Sequence, residues 1–125
     1  MNRLAVSISI LAVMAVGCAA SVYATNKVCA DMTHAIELTE KAYTNGDKDT
    51  CIRHAKQLDD IWDSVLYYSI LVNDYGHVLE ITASIAEVVS FAQEQDDELY
   101  TSCDRAQALI ESYREMQIPT LWKIL

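Results

Sequence analysis

Two short patterns place a histidine three residues before a glutamate: His34 with Glu37, and His77 with Glu80. A separation of three brings both side chains to one face of a helix, and imidazole and carboxylate groups are common metal ligands. Bundles build metal sites from such pairs on facing helices, although di-iron bundles use the reverse order, Glu-x-x-His. Both pairs also lie off the apolar positions of their segments. We therefore predict solvated side chains, and these four residues are the candidates for an alternative, metal-sensing site.

The four cysteines are Cys18, Cys29, Cys51 and Cys103. Cys51 and Cys103 each fall early in a predicted helix, and in an up-down bundle the second and fourth helices start at the same end. A disulfide between Cys51 and Cys103 is then geometrically feasible in an exported protein. Both also occupy apolar positions, where a free cysteine packs as a small hydrophobic side chain, and this is the favoured interpretation.

Arrangements that support catalysis are absent from the sequence. There is no nucleophile elbow, no glycine-rich phosphate loop and no carboxylate pair at apolar positions. The acidic clusters at residues 59–63 and 94–98 lack the ligand spacing of a calcium loop. The 18 acidic residues outnumber the 9 basic ones, and the net charge of −9 opposes binding to nucleic acid phosphates. We predict a protein that is not an enzyme and binds neither a cofactor nor nucleic acid.

Residues 4–22 form an uncharged, largely apolar run that follows Arg3. A helix of about 19 residues is long enough to cross a hydrocarbon core of about 30 Å. The favoured interpretation is a retained membrane anchor. The alternatives are lipidation of Cys18, although Ala15 stands where a lipobox usually has leucine, and cleavage of a signal peptide after Ala24. The positive charge of Arg3 favours retention of the N-terminus in the cytoplasm. In each of the three interpretations, the rest of the chain is therefore exported.

The predicted division is therefore an anchor or signal segment at residues 1–24 and an exported domain at residues 25–125. The predicted location is the cell membrane, with a lipoprotein or a secreted protein as the alternatives.

From residue 28 onward, apolar side chains recur every three or four positions, which predicts four amphipathic helices. Gly46 and Asp47 predict a turn after the first helix, Asp96 or Asp97 is expected to cap the fourth, and Pro119 is expected to end it. The second and third helices are separated by a turn near residues 73–76 or joined as one bent helix. The apolar stripes are Cys29, Met32, Ile36, Thr39 and Tyr43; Cys51, Ala55, Leu58, Trp62, Val65, Ser69 and Val72; Val78, Ile81, Ile85, Val88 and Ala92; and Leu99, Cys103, Ala106, Ile110 and Tyr113.

The predicted fold class is all-α, with the N-terminal anchor or signal followed by a four-helix up-down bundle. The two halves of the chain also share a weak similarity at an offset of 51 residues, as with Ala55 and Ala106 or Trp62 and Tyr113. This similarity favours, as an alternative, a tetratricopeptide-like array that binds peptides. The apolar tail at residues 121–125 is expected either to close one end of the bundle or to bind a partner.

The chain resembles a bacterial family, domain of unknown function 4363, over about its whole length. The residues that carry the resemblance are Ala42, Gly46 and Asp47, the helix ending in Trp62, the segments 71–74 and 77–81, and the apolar terminus 121–125. The resemblance implies a small, membrane-tethered, helical, extracytoplasmic protein, and it transfers no catalytic or binding residues. The predicted function is a non-catalytic protein that binds a membrane or envelope protein, with a ligand- or metal-sensing bundle and the peptide-binding array as alternatives.

Overall fold

A computed structural model of the chain shows an all-α protein, as the sequence predicts. It describes the backbone of residues 2–72 and 75–124, with the side chains in those ranges except at 67–69, 71–72 and 116–124. Within the described residues there are four helices and no strand: α1 (Asn2–Thr44), α2 (Lys48–Val72), α3 (Tyr75–Glu94) and α4 (Glu98–Ile124). The sequence left open a turn near residues 73–76 or one bent helix. The structure describes α2 to Val72 and α3 from Tyr75, and Asn73 and Asp74 lie outside the described residues.

The helix α1 joins the apolar segment and the first bundle helix without a break. Its 43 residues extend over about 64 Å at about 1.5 Å per residue. The residues between Gly17 and Gly46 include neither glycine nor proline, so nothing in this stretch favours a break. Side chains 2–17 are exposed, and burial begins at Thr25 and recurs at Cys29 and Met32. One helix therefore passes from an entirely exposed segment into the core.

Two left-handed residues reverse the chain direction between helices. Gly46 has φ 75°, as predicted, and the Asp47 carboxylate accepts the Thr50 backbone N–H at 3.2 Å. Hydrogen bonds from the Thr50 side chain and then from its backbone lower the pKa of Asp47. After α3 the left-handed position is Gln95, with φ 55°, a role that the sequence did not indicate because glutamine seldom adopts it. Asp96, rather than Asp97, then caps α4 by accepting the Glu98 backbone N–H at 2.9 Å.

The core draws side chains from all four helices, and α1 and α3 each contact both α2 and α4. The predicted apolar stripes are buried, except that Val65 is half-buried, Tyr43 is half-buried and the side chains of residues 69 and 72 are outside the described part. Trp62 is the largest fully buried side chain. Its ring meets Tyr113 edge to face at a centroid distance of 5.8 Å, and its indole N–H donates to Thr82 Oγ1 at 2.9 Å. Trp62 therefore links α2 to both α3 and α4.

A tyrosine cluster closes the end of the bundle near the two reversing turns. The Tyr43 hydroxyl donates to the Asp97 carboxylate, and the Tyr43 ring meets Tyr100 edge to face at a centroid distance of 5.2 Å. The hydrogen bond to Asp97, which favours the neutral phenol, raises the pKa of Tyr43 to about 12. The end of α1 is thereby joined to the beginning of α4.

The expectation that Pro119 ends the fourth helix is wrong, because α4 continues to Ile124. Proline lacks a donor and crowds the carbonyl four residues earlier, but its φ is compatible with a helix. The predicted contacts of the tail at residues 121–125 concern side chains outside the described part.

We expect Trp62→Ala to lower the free energy of unfolding of the bundle by about 3 to 5 kcal/mol, because it removes a fully buried indole and leaves a cavity. Denaturant unfolding of the detergent-solubilised chain, followed by circular dichroism, measures this change. Lys56→Ala, at an exposed position of α2, is the matched control and should stay within about 0.5 kcal/mol of the parent. Similar losses for both variants would contradict the role of Trp62.

Candidate functional site

The two histidine-glutamate pairs do not come together in the structure. His34 and Glu37 are exposed on α1, while His77 and Glu80 lie on α3. Among the described residues, the one group of three metal-ligating side chains with mutually close ligand atoms is Asp59, Asp60 and Asp63, and it contains none of the paired residues. This aspartate group lies on α2 near solvent, and burial followed by repulsion from its two neighbours raises the pKa of Asp59.

His77 is not the solvated side chain that the sequence predicted. Its ring stacks nearly parallel on Tyr113, with a centroid distance of 6.4 Å, and it is only half-exposed. Its Nε2 atom is buried without a hydrogen-bond partner among the described residues. A helical face judged from periodicity alone misses this contact because the aromatic partner comes from α4. His77 therefore belongs to the packing around Trp62 and Tyr113.

His34 and Glu37 instead line a polar cavity of about 390 Å³ between α1 and α4. The α4 wall is formed by Glu111 and Arg114, which are joined by an ion pair. The Arg114 Nε atom is buried and lacks an acceptor within the described part of the chain. The sequence did not indicate Glu111 and Arg114 as site residues, because the pairing of α1 with α4 is a tertiary contact. This α1–α4 cavity combines carboxylates, a guanidinium and an imidazole at a protein surface.

The thiols at the core are poor nucleophiles and poor metal ligands in their folded environment. Burial raises the pKa of Cys29 to about 11, with a partly opposing effect from Arg114. Burial and the nearby Glu40 raise the pKa of Cys103 to about 12, and burial also raises the pKa of Cys51. Since the thiolate is the reactive form, these residues are protonated and inert at neutral pH.

Cys51 and Cys103, for which a disulfide was the alternative to free packed thiols, are both fully buried and both free. Their side chains lie close enough for Cys51 to contribute to the raised pKa of Cys103. The structure thus brings the two residues to the same region as free cysteines. Cys18, the position of the alternative lipidation, is half-exposed on α1 within the apolar segment.

Most of the exposed large apolar side chains of the described residues lie in the first part of α1. Leu4, Val6, Ile8, Leu11 and Val13 are each more than half exposed, and no residue of the most hydrophobic stretch is buried. By length and composition α1 is able to cross a membrane, and it is the one described helix with this property. Among the described residues, no other helix of the bundle covers positions 2–17 of α1.

A groove of about 540 Å³ lies where α1 enters the bundle. Its α1 wall is made of small residues, including Gly17, Ala20, Ser21 and Ala24, and its other described walls include Val65 of α2 and Tyr113 of α4. These small residues are spaced three or four positions apart, which places them on one face of α1 and is the sequence pattern that could have indicated the groove. The groove begins within the uncharged run of α1, at Gly17, and continues along α1 to Val28. The exposed segment and the bundle therefore share one apolar surface.

We expect iodoacetamide at pH 8 to leave Cys29, Cys51 and Cys103 unmodified in the folded protein, because burial keeps these thiols protonated and inaccessible. In denaturant without reductant, all three should be alkylated. Peptide mass spectrometry after both treatments measures this. Resistance of Cys51 and Cys103 to alkylation in denaturant, relieved by reductant, would show a disulfide and contradict the free thiols.

Comparison with protein-family models, with curated proteins and with solved structures finds no match to this chain.

Proposed function

We propose that the chain is a non-catalytic, membrane-tethered helical protein whose bundle lies outside the cytoplasm and binds a partner protein. The observation that carries the proposal is the exposed apolar part of α1, which continues directly into the bundle core. Transfer of a Leu, Ile or Val side chain out of water is favourable by about 1.5 to 3 kcal/mol. A run of such side chains that the bundle does not cover is therefore expected to lie in lipid.

The proposed orientation follows from the charges around the apolar run. Arg3 precedes the run, and positively charged flanking residues favour the cytoplasmic side. The bundle then lies on the opposite side, with α1 retained as the anchor rather than lipidated at Cys18 or cut after Ala24. Buried positions begin at Thr25, so the bundle core itself does not depend on which of these outcomes occurs.

An up-down arrangement of the four helices is part of the proposal. It is supported by the tight turns after α1 and α3 and by the tyrosine cluster that joins the end of α1 to the beginning of α4. The contact of α4 with α1 closes the ring of helices, which does not favour an open tetratricopeptide-like array. The proposed kinship with domain of unknown function 4363 is consistent with such a tethered bundle.

The partner is proposed to be a membrane or envelope protein that docks at the α1–α4 cavity. This surface presents the carboxylates of Glu37 and Glu111 beside Arg114, whose Nε atom has no acceptor among the described residues. Charged groups of both signs favour recognition of a polar, charge-complementary surface. The protonated thiols and the separated histidines support a binding role over catalysis. A metal-sensing role for His34, Glu37, His77 and Glu80 has less support, because His77 packs against Tyr113 on another face.

We expect the double variant Leu11→Asp with Val13→Asp to release the protein from membranes, because each central aspartate opposes insertion by about 2.5 to 3.5 kcal/mol. Alkaline carbonate extraction of bacterial membranes, followed by quantitative blotting, measures the retained fraction. The control, Ser90→Asp with Gln107→Asp, adds the same charge at exposed bundle positions and should remain in the membrane. Equal retention of both double variants would contradict the tether.

We expect Glu37→Arg to lose the partner that docks at the α1–α4 cavity, because it reverses one charge of that surface. Affinity purification from detergent-solubilised membranes, with quantitative mass spectrometry, compares the copurifying proteins. Asp60→Arg makes the same charge reversal at an exposed position of α2 and should retain the partner. If parent, Glu37→Arg and Asp60→Arg captured the same proteins in the same amounts, the docking surface would be wrong.

A further inference from the structure

The helix α4 follows α1 in a regular register that the described contacts define. Tyr43, late in α1, contacts Tyr100, early in α4. Cys29, in the middle of α1, lies within the electrostatic influence of Arg114, late in α4. Each residue backward along α1 is therefore matched by about one residue forward along α4.

This register carries the end of α4 to the level of the membrane anchor. Since α4 is helical to Ile124, continuing eight positions beyond the pairing of Cys29 with Arg114 brings Trp122 level with Ser21. Ser21 belongs to the uncharged run of α1 and lines the groove between α1, α2 and α4. Counted in the same way from the turn that places Lys48 opposite Thr44, the end of α2 at Val72 lies level with Ala20, so α2 and α4 reach about equally far toward the anchor.

The composition of the chain changes where α4 passes this level. After Glu115 the sequence is Met-Gln-Ile-Pro-Thr-Leu-Trp-Lys-Ile-Leu, in which Lys123 is the single charged residue and no acidic side chain occurs. The chain as a whole carries a net charge of −9. Tryptophan is enriched at the boundary between lipid and water, and lysine reaches from apolar surroundings to the headgroups.

The other helices place apolar side chains toward the same boundary. Tyr23 is 72% exposed directly after the uncharged run, Tyr75 is 58% exposed at the start of α3, and Ile70 is exposed near the end of α2. Leu79, one turn further along α3, is also exposed. Outside the uncharged run, the remaining exposed large apolar side chain of the described part is Tyr100, at the other end of the bundle. The anchor-facing end is therefore the apolar end of the domain.

We propose that residues 118–124 of α4 form a second membrane contact, entering the headgroup layer and the adjoining hydrocarbon beside α1. This inference rests on the proposed tether, because the bundle must first be held at the membrane. The lipid is the occupant because the segment reaches the level of the uncharged run, and the apolar groove there is continuous with that run. With α1 and α4 both entering the lipid, the bundle stands close to the membrane surface rather than on a free stalk.

The experiment measures the depth of Trp122 in the full-length chain reconstituted into phosphatidylcholine vesicles. The chain has two tryptophans, and Trp62 is buried in the core, so Trp122→Phe isolates the emission of Trp62. Lipids brominated near the headgroup end of the acyl chains are expected to quench the emission of the parent. Trp122→Phe should lose that quenching, and lipids brominated near the methyl end should quench the parent less.

A second variant keeps the reporter and changes the segment. Leu121→Asp adds a charge beside Trp122 and is expected to reduce the quenching by shallow bromine, whereas Ser90→Asp on the bundle surface should not. Circular dichroism confirms that each variant is folded. Equal bromine quenching of the parent and Trp122→Phe would overturn the proposal. Quenching by aqueous acrylamide would then show that Trp122 lies in water, and protection from acrylamide would show that it lies inside the bundle.

Flotation of the same vesicles separates failure of this inference from failure of the tether. Protein that floats with the vesicles while Trp122 is not quenched retains the anchor and refutes the second contact. Protein that does not float refutes the proposed tether itself.

Discussion

The helix α1 is exposed along its first part and buried in the bundle along its second part. The remaining structure is arranged around the junction between these two parts. Up to residue 17 its side chains are exposed and apolar, and from Thr25 onward one of its faces is buried in the bundle. Because the helix has no break at this junction, the direction of the anchor determines the direction of the bundle. A tethered domain on a flexible linker samples many orientations, but under the proposed tether a continuous helix would hold one end of the bundle toward the lipid. The proposed tether would thereby hold the α1–α4 cavity at a defined height above the membrane.

The bundle maintains this geometry through contacts at both of its ends. Near the anchor, Trp62 joins three helices by burial, by an edge-to-face contact with Tyr113 and by a hydrogen bond to Thr82. At the opposite end, Tyr43 joins the two reversing turns through Asp97. Buried thiols and aliphatic side chains fill the space between these ends. Burial raises the pKa values of the Cys29 and Cys103 thiols, which therefore stay neutral. The chemistry of the interior therefore serves packing, while the charged groups lie outside.

Periodicity was sufficient to predict the helices and most of the core, because each stripe depends on its own segment. Gly46 and Asp47 were also predictable, since their backbone roles are local. The continuity of α1 was not, because the apolar run and the first stripe each satisfied a separate pattern. His77 was assigned to solvent, and its stacking on Tyr113 depends on which helices become neighbours. Gln95 in a left-handed conformation and Pro119 within α4 both oppose local preferences, and Arg114 became part of a cavity only through the pairing of α1 with α4.

The central claim is that the exposed apolar segment remains attached to the bundle as one helix in the membrane. Intact-mass spectrometry of the protein extracted from membranes tests it most directly. The account predicts a chain that retains residues 2–22 and carries no added lipid. A chain that starts at Cys18 with a diacylglyceryl group, or one that starts at Thr25, would contradict it.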